Sequence, residues 1–140
     1  MSQYEIAMQI AKKAYKGLKD KAGAEYLNHP VHVAKQMNTE QEKVVALLHD
    51  VIEDAGYTVQ MLEEMGIDRR CCHAVDVISR RRGEDYMEYI LRVKEDSLAA
   101  AVKIEDLKHN SDLSRLPLVR EEDLQRYEKY QRALEILMEC

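Results

Sequence analysis

Breakers of regular structure are scarce in this chain, with five glycines and two prolines in 140 residues. Set among many Ala, Leu, Glu, Lys, Gln and Met residues, that scarcity favours long helices joined by short connections. Cysteine is scarce too: Cys71, Cys72 and Cys140 offer no CxxC spacing, and their odd number argues for free thiols in a reducing compartment and against a disulfide framework. No stretch approaches the roughly 20 apolar residues that span a bilayer, and no basic N-terminal segment leads into an apolar run, so the expectation is a cytoplasmic protein without a membrane segment. Positive charge is not in excess. The formal net charge of -5 removes any general electrostatic reason to bind a nucleic-acid backbone or an anionic membrane, and a phosphate-bearing ligand would need a local cation.

Linkers, repeats and low-complexity tracts are also absent, so one domain over 1–140 is expected. The 46% hydrophobic and 34% charged composition suits a soluble globular chain of that length. Strand-like alternation is missing, and the expected fold class is all-α. Ile6, Ile10, Ala14 and Leu18 predict a first helix over about Ser2 to Leu18, followed by a polar loop from Lys19 to Glu25. Pro30 suits the first turn of a short helix through Val31, Ala34 and Met37, with His29 at its entrance. Thr39 and Glu42 read as a capping box opening a helix that runs to about Asp54, before Gly56. Thr58 caps a short helix to Met65. Further helices are expected at about Asp68 to Ser79, Glu84 to Val93, Ser97 to Asn110 and, beyond the break at Pro117, Glu121 to Met138.

The chemistry-bearing residues sit on two of these helices and one helix entrance. At about 100° per residue, His49, Asp50, Glu53 and Asp54 share one arc, while Val44, Val45, Leu47, Leu48, Val51 and Ile52 fill the rest. A solvated amphipathic face would produce the same split. Against that, Glu53 and Asp54 fall in the expected C-terminal turn, where the helix dipole disfavours carboxylates. His49 and Asp50 supply imidazole nitrogen and carboxylate oxygen, a set suited to Mn²⁺, Fe²⁺ or Zn²⁺. Asp106 lies among Ala99, Val102 and Leu107 on an apolar face, so it needs a partner. Lys103 one turn back and a metal both qualify. His29 on its own could serve only to shape a helix entrance.

Taken in order, His29, His49-Asp50 and Asp106 resemble the signature of the HD superfamily of metal-dependent phosphohydrolases. More narrowly, Tyr26-Leu27-Asn28-His29-Pro30, Ala46-Leu47-Leu48-His49-Asp50-Val51-Ile52-Glu53-Asp54 and Val102-Lys103-Ile104-Glu105-Asp106 resemble the alarmone hydrolase domain of RelA/SpoT-type enzymes and their stand-alone small relatives. The resemblance covers about Ala14 to Leu116, leaving a C-terminal helix at about 121–138.

The resemblance implies one divalent metal, usually Mn²⁺, held by His29, His49, Asp50 and Asp106, with Glu53 and Asp54 as the catalytic acidic pair. It implies a small nucleotide substrate, with Lys21 and Asn110 as substrate contacts and removal of the 3′-pyrophosphate of ppGpp or pppGpp as the reaction. Lys21 as a solvated loop charge and Asn110 as a helix C-terminal residue are the plain alternatives. Four positions depart from the family pattern: Asp20 where Arg is usual, Glu25 for Pro, Ala55 for Thr and Leu113 for a substrate-contacting Thr. They spare the metal and water machinery and touch base recognition. Two other functions therefore stay open: an HD phosphohydrolase for another phosphorylated metabolite, such as a deoxynucleotide or NADPH, and a non-catalytic nucleotide-binding or sensor module. His32 reads as a surface or packing histidine, His109 as a residue bordering its helix, and Arg80-Arg81-Arg82 as a solvated run that complements a helix dipole. A homo-oligomer is compatible with the sequence, but no feature selects one.

Overall fold

In a computed structural model describing residues 1–139, apolar helical repeats and polar caps together produce nine α-helices. These are α1 Gln3–Ala14, α2 Asn28–Lys35, α3 Glu40–Leu48, α4 Val51–Ala55, α5 Val59–Glu64, α6 Arg69–Ile78, α7 Tyr86–Lys94, α8 Ser97–Asn110 and α9 Glu121–Met138, with a 3-10 turn at Leu113–Arg115. The described residues form no strand beyond an isolated bridge between Lys19 and Glu25, so the fold is all-α as expected. Cys140 lies outside the described residues. Cys71 and Cys72 are free and buried. Among the described residues no helix is long and apolar enough to cross a membrane.

The caps follow from sequence. Thr39 and Glu42 form the expected capping box, Thr58 accepts from the Met61 amide, and Asp68, Asp85 and Asp96 cap α6, α7 and α8. Because Val44 to Leu48 are apolar in succession, α3 cannot present a solvent face there, and all five are fully buried. It becomes the central helix, packed by α1, α2, α6 and α8.

Two expected helices end early, and both differences shape the site. The first stops at Ala14, four residues short, because Gly17 adopts φ +83° and turns the chain. Tyr15 is thereby buried against the core, with its hydroxyl accepting from the Asp50 amide at 3.2 Å. The second, expected to continue to Asp54, breaks at His49 and Asp50 into α3 and α4. In a continuous helix the Asp50 amide would donate to the Ala46 carbonyl. Here that amide goes to Tyr15, and Ala46 O receives the His49 Nδ1–H at 2.5 Å. Side chains inserted into the hydrogen-bond ladder are a recognised cause of such breaks. Glu53 and Asp54 consequently stand in the first turn of α4, not in the last turn of a long helix. The dipole argument drawn from sequence does not apply to them. Gly56, at φ +72°, ends α4 as expected.

Candidate metal centre

The α2 entrance, the α3–α4 break and the second half of α8 meet at one buried point. His29, His49 and Asp106 are 4%, 2% and 4% exposed, a degree of burial that polar groups of this kind tolerate only when partnered. Asp106 Oδ1 lies 2.6 Å from His29 Nε2 and 3.2 Å from His49 Nε2, and Asp50 Oδ2 lies 3.1 Å from His49 Nε2. Ligand-type atoms of His29, His49 and Asp50 are all within 4.8 Å of one another. All four side chains singled out by the motifs are therefore brought together.

Lys103 proves to be a partner of Asp106 without excluding the other. Its ammonium donates to Oδ2 at 2.9 Å, leaving Oδ1 to the imidazoles and to Asn110 Nδ2 at 3.1 Å. Burial opposes the Asp106 charge, but Lys103 and His49 outweigh it and hold the carboxyl well below its usual range. For His49 burial likewise opposes the charged form, and the Asp50 and Asp106 carboxylates outweigh it, raising its proton affinity. Strong mutual dependence among these groups follows.

Two imidazole nitrogens and two carboxylates form a mixed donor set that fits a first-row divalent ion. The 2.6–3.2 Å separations also fit: neighbouring ligands about 2.1 Å from a six-coordinate ion lie about 3 Å apart. The His49 orientation agrees: Ala46 O can only accept, so Nδ1 carries a proton, and Nε2 is the nitrogen that would present a lone pair to an ion once its own proton is displaced.

Glu53 and Asp54 remain solvent-accessible beside this point. Glu53 accepts from the Arg80 backbone N–H, a link that no sequence pattern announced. Asp54 Oδ2 contacts the Tyr26 hydroxyl at 2.9 Å, while Tyr26 reaches Asp50 Oδ2 at 2.6 Å. One phenolic proton serves the shorter contact, and the longer one gives a protonated Asp54 an acceptor. Burial and the Asp50 charge raise the proton affinities of both Glu53 and Asp54.

A cavity of about 290 Å³ opens from the His29 edge. Lys21 and Asn110, the two expected substrate contacts, both line it, with Tyr26, Arg115, Arg126 and Tyr130. Asp20 stands in its wall as a loop organiser: Oδ1 accepts from the Ala22 and Ala24 amides at 2.9 Å, and Oδ2 pairs with Arg115 at 3.3 Å. Leu113 also faces the cavity. Of the arginine run, Arg81 donates to the Asp76 and Ser79 carbonyls at the end of α6, the dipole-complementing role expected of it.

Sequence reasoning missed Tyr15, Tyr26 and Arg115, and gave His109 too small a part. His109 Nδ1 sits 2.7 Å from His29 Nδ1, and His32 stacks on a face of its ring. The available signals were spacing: Tyr26 and His32 each lie three residues from His29, and His109 lies one turn beyond Asp106.

The all-helical fold places the His/Asp cluster where α2, the α3–α4 break and α8 meet. In sequence and in fold the chain resembles ppGpp hydrolases of the SpoT kind. It is 34% identical over 117 residues to a guanosine-3′,5′-bis(diphosphate) 3′-pyrophosphohydrolase from Haemophilus influenzae, an alignment covering 72% of this chain and 17% of that protein. It is 29% identical over 119 residues to the bifunctional (p)ppGpp synthase/hydrolase SpoT of Escherichia coli, covering 74% and 17%. The chain thus spans about one sixth of the curated relatives it matches. Among solved structures, a metazoan ortholog of SpoT that hydrolyses ppGpp and plays a role in starvation responses matches with a TM-score of 0.81 at 19% identity, covering 99% of this chain and 86% of that one. No family model matches the chain.

Proposed function

We propose that the chain is a cytoplasmic, metal-dependent phosphohydrolase whose substrate is ppGpp and whose reaction removes the 3′-pyrophosphate. The observation that carries this reading is the convergence of His29 Nε2, His49 Nε2, Asp50 Oδ2 and Asp106 Oδ1 on one point, with an acidic pair beside it and a cavity opening from it. The names of the sequence relatives support the substrate assignment. His29, His49, Asp50 and Asp106 would hold one divalent ion, with Mn²⁺ the first choice and Fe²⁺ or Zn²⁺ also suited to the donors. When bound, such an ion supplies Lewis acidity to the phosphoryl oxygens and acidifies water.

The remaining work falls to side chains. Glu53 and Asp54 orient the attacking water and accept its proton, a role suited to carboxylates whose proton affinity is raised above the ordinary range. The water oxygen bonds to the phosphorus attached to ribose O3′, the P–O3′ bond breaks, and O3′ takes up a proton, giving GDP and pyrophosphate. Tyr26 holds Asp50 and Asp54 in register, while Lys21 and Asn110 contact the substrate from the cavity wall.

A second reading keeps the chemistry and changes the substrate to another phosphorylated metabolite. It is favoured by Asp20, committed to Arg115, and by Leu113 in the cavity lining, at positions where the family pattern has polar base-recognition residues. A non-catalytic sensor is less favoured, because Glu53 and Asp54 are retained. Mn²⁺-loaded protein incubated separately with ppGpp, NADPH and deoxynucleotides, with Asp50→Ala protein as the contamination control, distinguishes the three. GDP and pyrophosphate from ppGpp with the intact protein alone is the expected result. Turnover of another substrate only would transfer the assignment to the second reading, and no turnover of any would favour the sensor.

A further inference from the structure

His109 is unused by the chemistry above, yet it is held at three points, two of them on its ring. His32 lies face to face with it, ring centres 3.9 Å apart and planes 16° from parallel. Its carbonyl receives Arg115 Nη1 at 3.0 Å. Its Nδ1 is 2.7 Å from Nδ1 of His29. The rings of His29 and His109 are within 6° of parallel, with centres 4.9 Å apart. Face-to-face stacking would bring the centres closer, as it does for His32. Two nitrogens pointing at each other, each about 1 Å from its own ring centre, put the centres about 5 Å apart. The contact is therefore an in-plane N–H···N hydrogen bond between nearly coplanar rings.

That geometry decides a proton. A neutral imidazole carries one, and a nitrogen that ligates a cation cannot keep it. With His29 Nε2 directed at Asp106, ligation through Nε2 places the His29 proton on Nδ1, where the atom within reach is Nδ1 of His109. His109 must then present a lone pair there and carry its own proton on Nε2. The arrangement matches that of His49, whose Nδ1–H is taken by Ala46 O. One metal-facing imidazole is thus oriented by the backbone and the other by a second imidazole.

We infer that His109, backed by His32, is a positioning residue that fixes the Nδ1–H tautomer and ring plane of His29 and so sets the affinity of the metal centre. The inference rests on the reading of His29 as a metal ligand. Outer partners of ligating histidines typically account for about 10–100-fold in metal affinity.

The test compares wild type, His109→Leu and His109→Asn by Mn²⁺ titration calorimetry and by melting of the metal-free proteins. Asn places an amide oxygen where His109 has Nδ1, whereas Leu fills space without an acceptor. Leu is expected to weaken Mn²⁺ binding by about 10–100-fold with little change in the metal-free melting temperature, and Asn to recover most of that loss. ¹⁵N-imidazole NMR of the Zn²⁺-bound wild-type protein gives a readout that does not depend on how well the variants fold: His29 should show a protonated Nδ1 and His109 a protonated Nε2. Equal Mn²⁺ affinity in wild type and His109→Leu, or a His29 proton on Nε2 in the Zn²⁺-bound protein, would overturn the inference while leaving the metal reading intact. Wild-type protein that binds neither ion would overturn both.

Discussion

The buried cluster and the cavity beside it share His29 as a border but are built on opposite terms. Two helices and the break between α3 and α4 deliver the members of the cluster, and each side chain there has a close internal partner: Asp106 is held by Lys103, His29, His49 and Asn110, His49 by Ala46 O, and Asp50 by Tyr26. The cavity wall beyond His29 comes largely from the turn at 19–25, the 3-10 turn and the start of α9, where charges are partly exposed. A one-atom error in the cluster strands a buried charge, whereas a changed side chain in the wall meets solvent or repacks. Three of the four departures from the family pattern respect that division: Asp20, Glu25 and Leu113 belong to the 19–25 turn or the 3-10 turn, and none touches the cluster. Constancy of chemistry with drift in recognition is what such a division permits.

The sharpest way to break the comparison is to remove Asp106. Asp106→Ala should abolish metal binding and also leave the Lys103 ammonium, whose side chain is 14% exposed, without its carboxylate. Breaking a buried ion pair from one side costs about 3–5 kcal/mol. Urea denaturation of the metal-free variant measures that cost, and Lys103→Met added to Asp106→Ala should return much of the stability and none of the metal. Full metal occupancy in Asp106→Ala would remove the residue from the centre. A smaller free-energy change with a large kinetic readout is expected from Glu53→Gln, which keeps the shape and the hydrogen bond from Arg80 but loses the base. Turnover should fall roughly 10²–10⁴-fold with metal affinity unchanged. Unaltered kcat would end the proposed role of Glu53.

The same division governs what could be read from sequence. The helices and their Thr caps rest on local rules and were legible, the Asp caps of α6, α7 and α8 were passed over, and the grouping of His29, His49, Asp50 and Asp106 was legible only through the resemblance that their ordered motifs carry. The break at His49 was not, because it depends on Tyr15, 35 residues away, taking the Asp50 amide. A wheel drawn through Val44 to Asp54 treats as one rotor what the structure divides into two. Lys103 and the metal looked like rivals for Asp106 because a sequence does not show that the carboxylate's two oxygens face different ways. The link from Arg80 to Glu53 is a backbone donor reaching across 27 residues, and any residue but proline at position 80 could provide it.

The mildest expected effect lies in the wall. Asp20→Ala removes the acceptor of the Ala22 and Ala24 amides and the partner of Arg115, loosening the turn that carries Lys21 without reaching the cluster. All three contacts are near solvent, so water replaces much of what is lost, and a change of about 1 kcal/mol in substrate binding is expected, roughly a fivefold rise in KM. Metal affinity and kcat should stay close to those of the wild type, because Tyr26, Glu53 and Asp54 keep their contacts. Steady-state kinetics beside Mn²⁺ titration resolves the two quantities. A fall in kcat together with weakened metal binding would mean that the turn supports the cluster through Arg115 and the α8 terminus, and the two regions would then have to be treated as one.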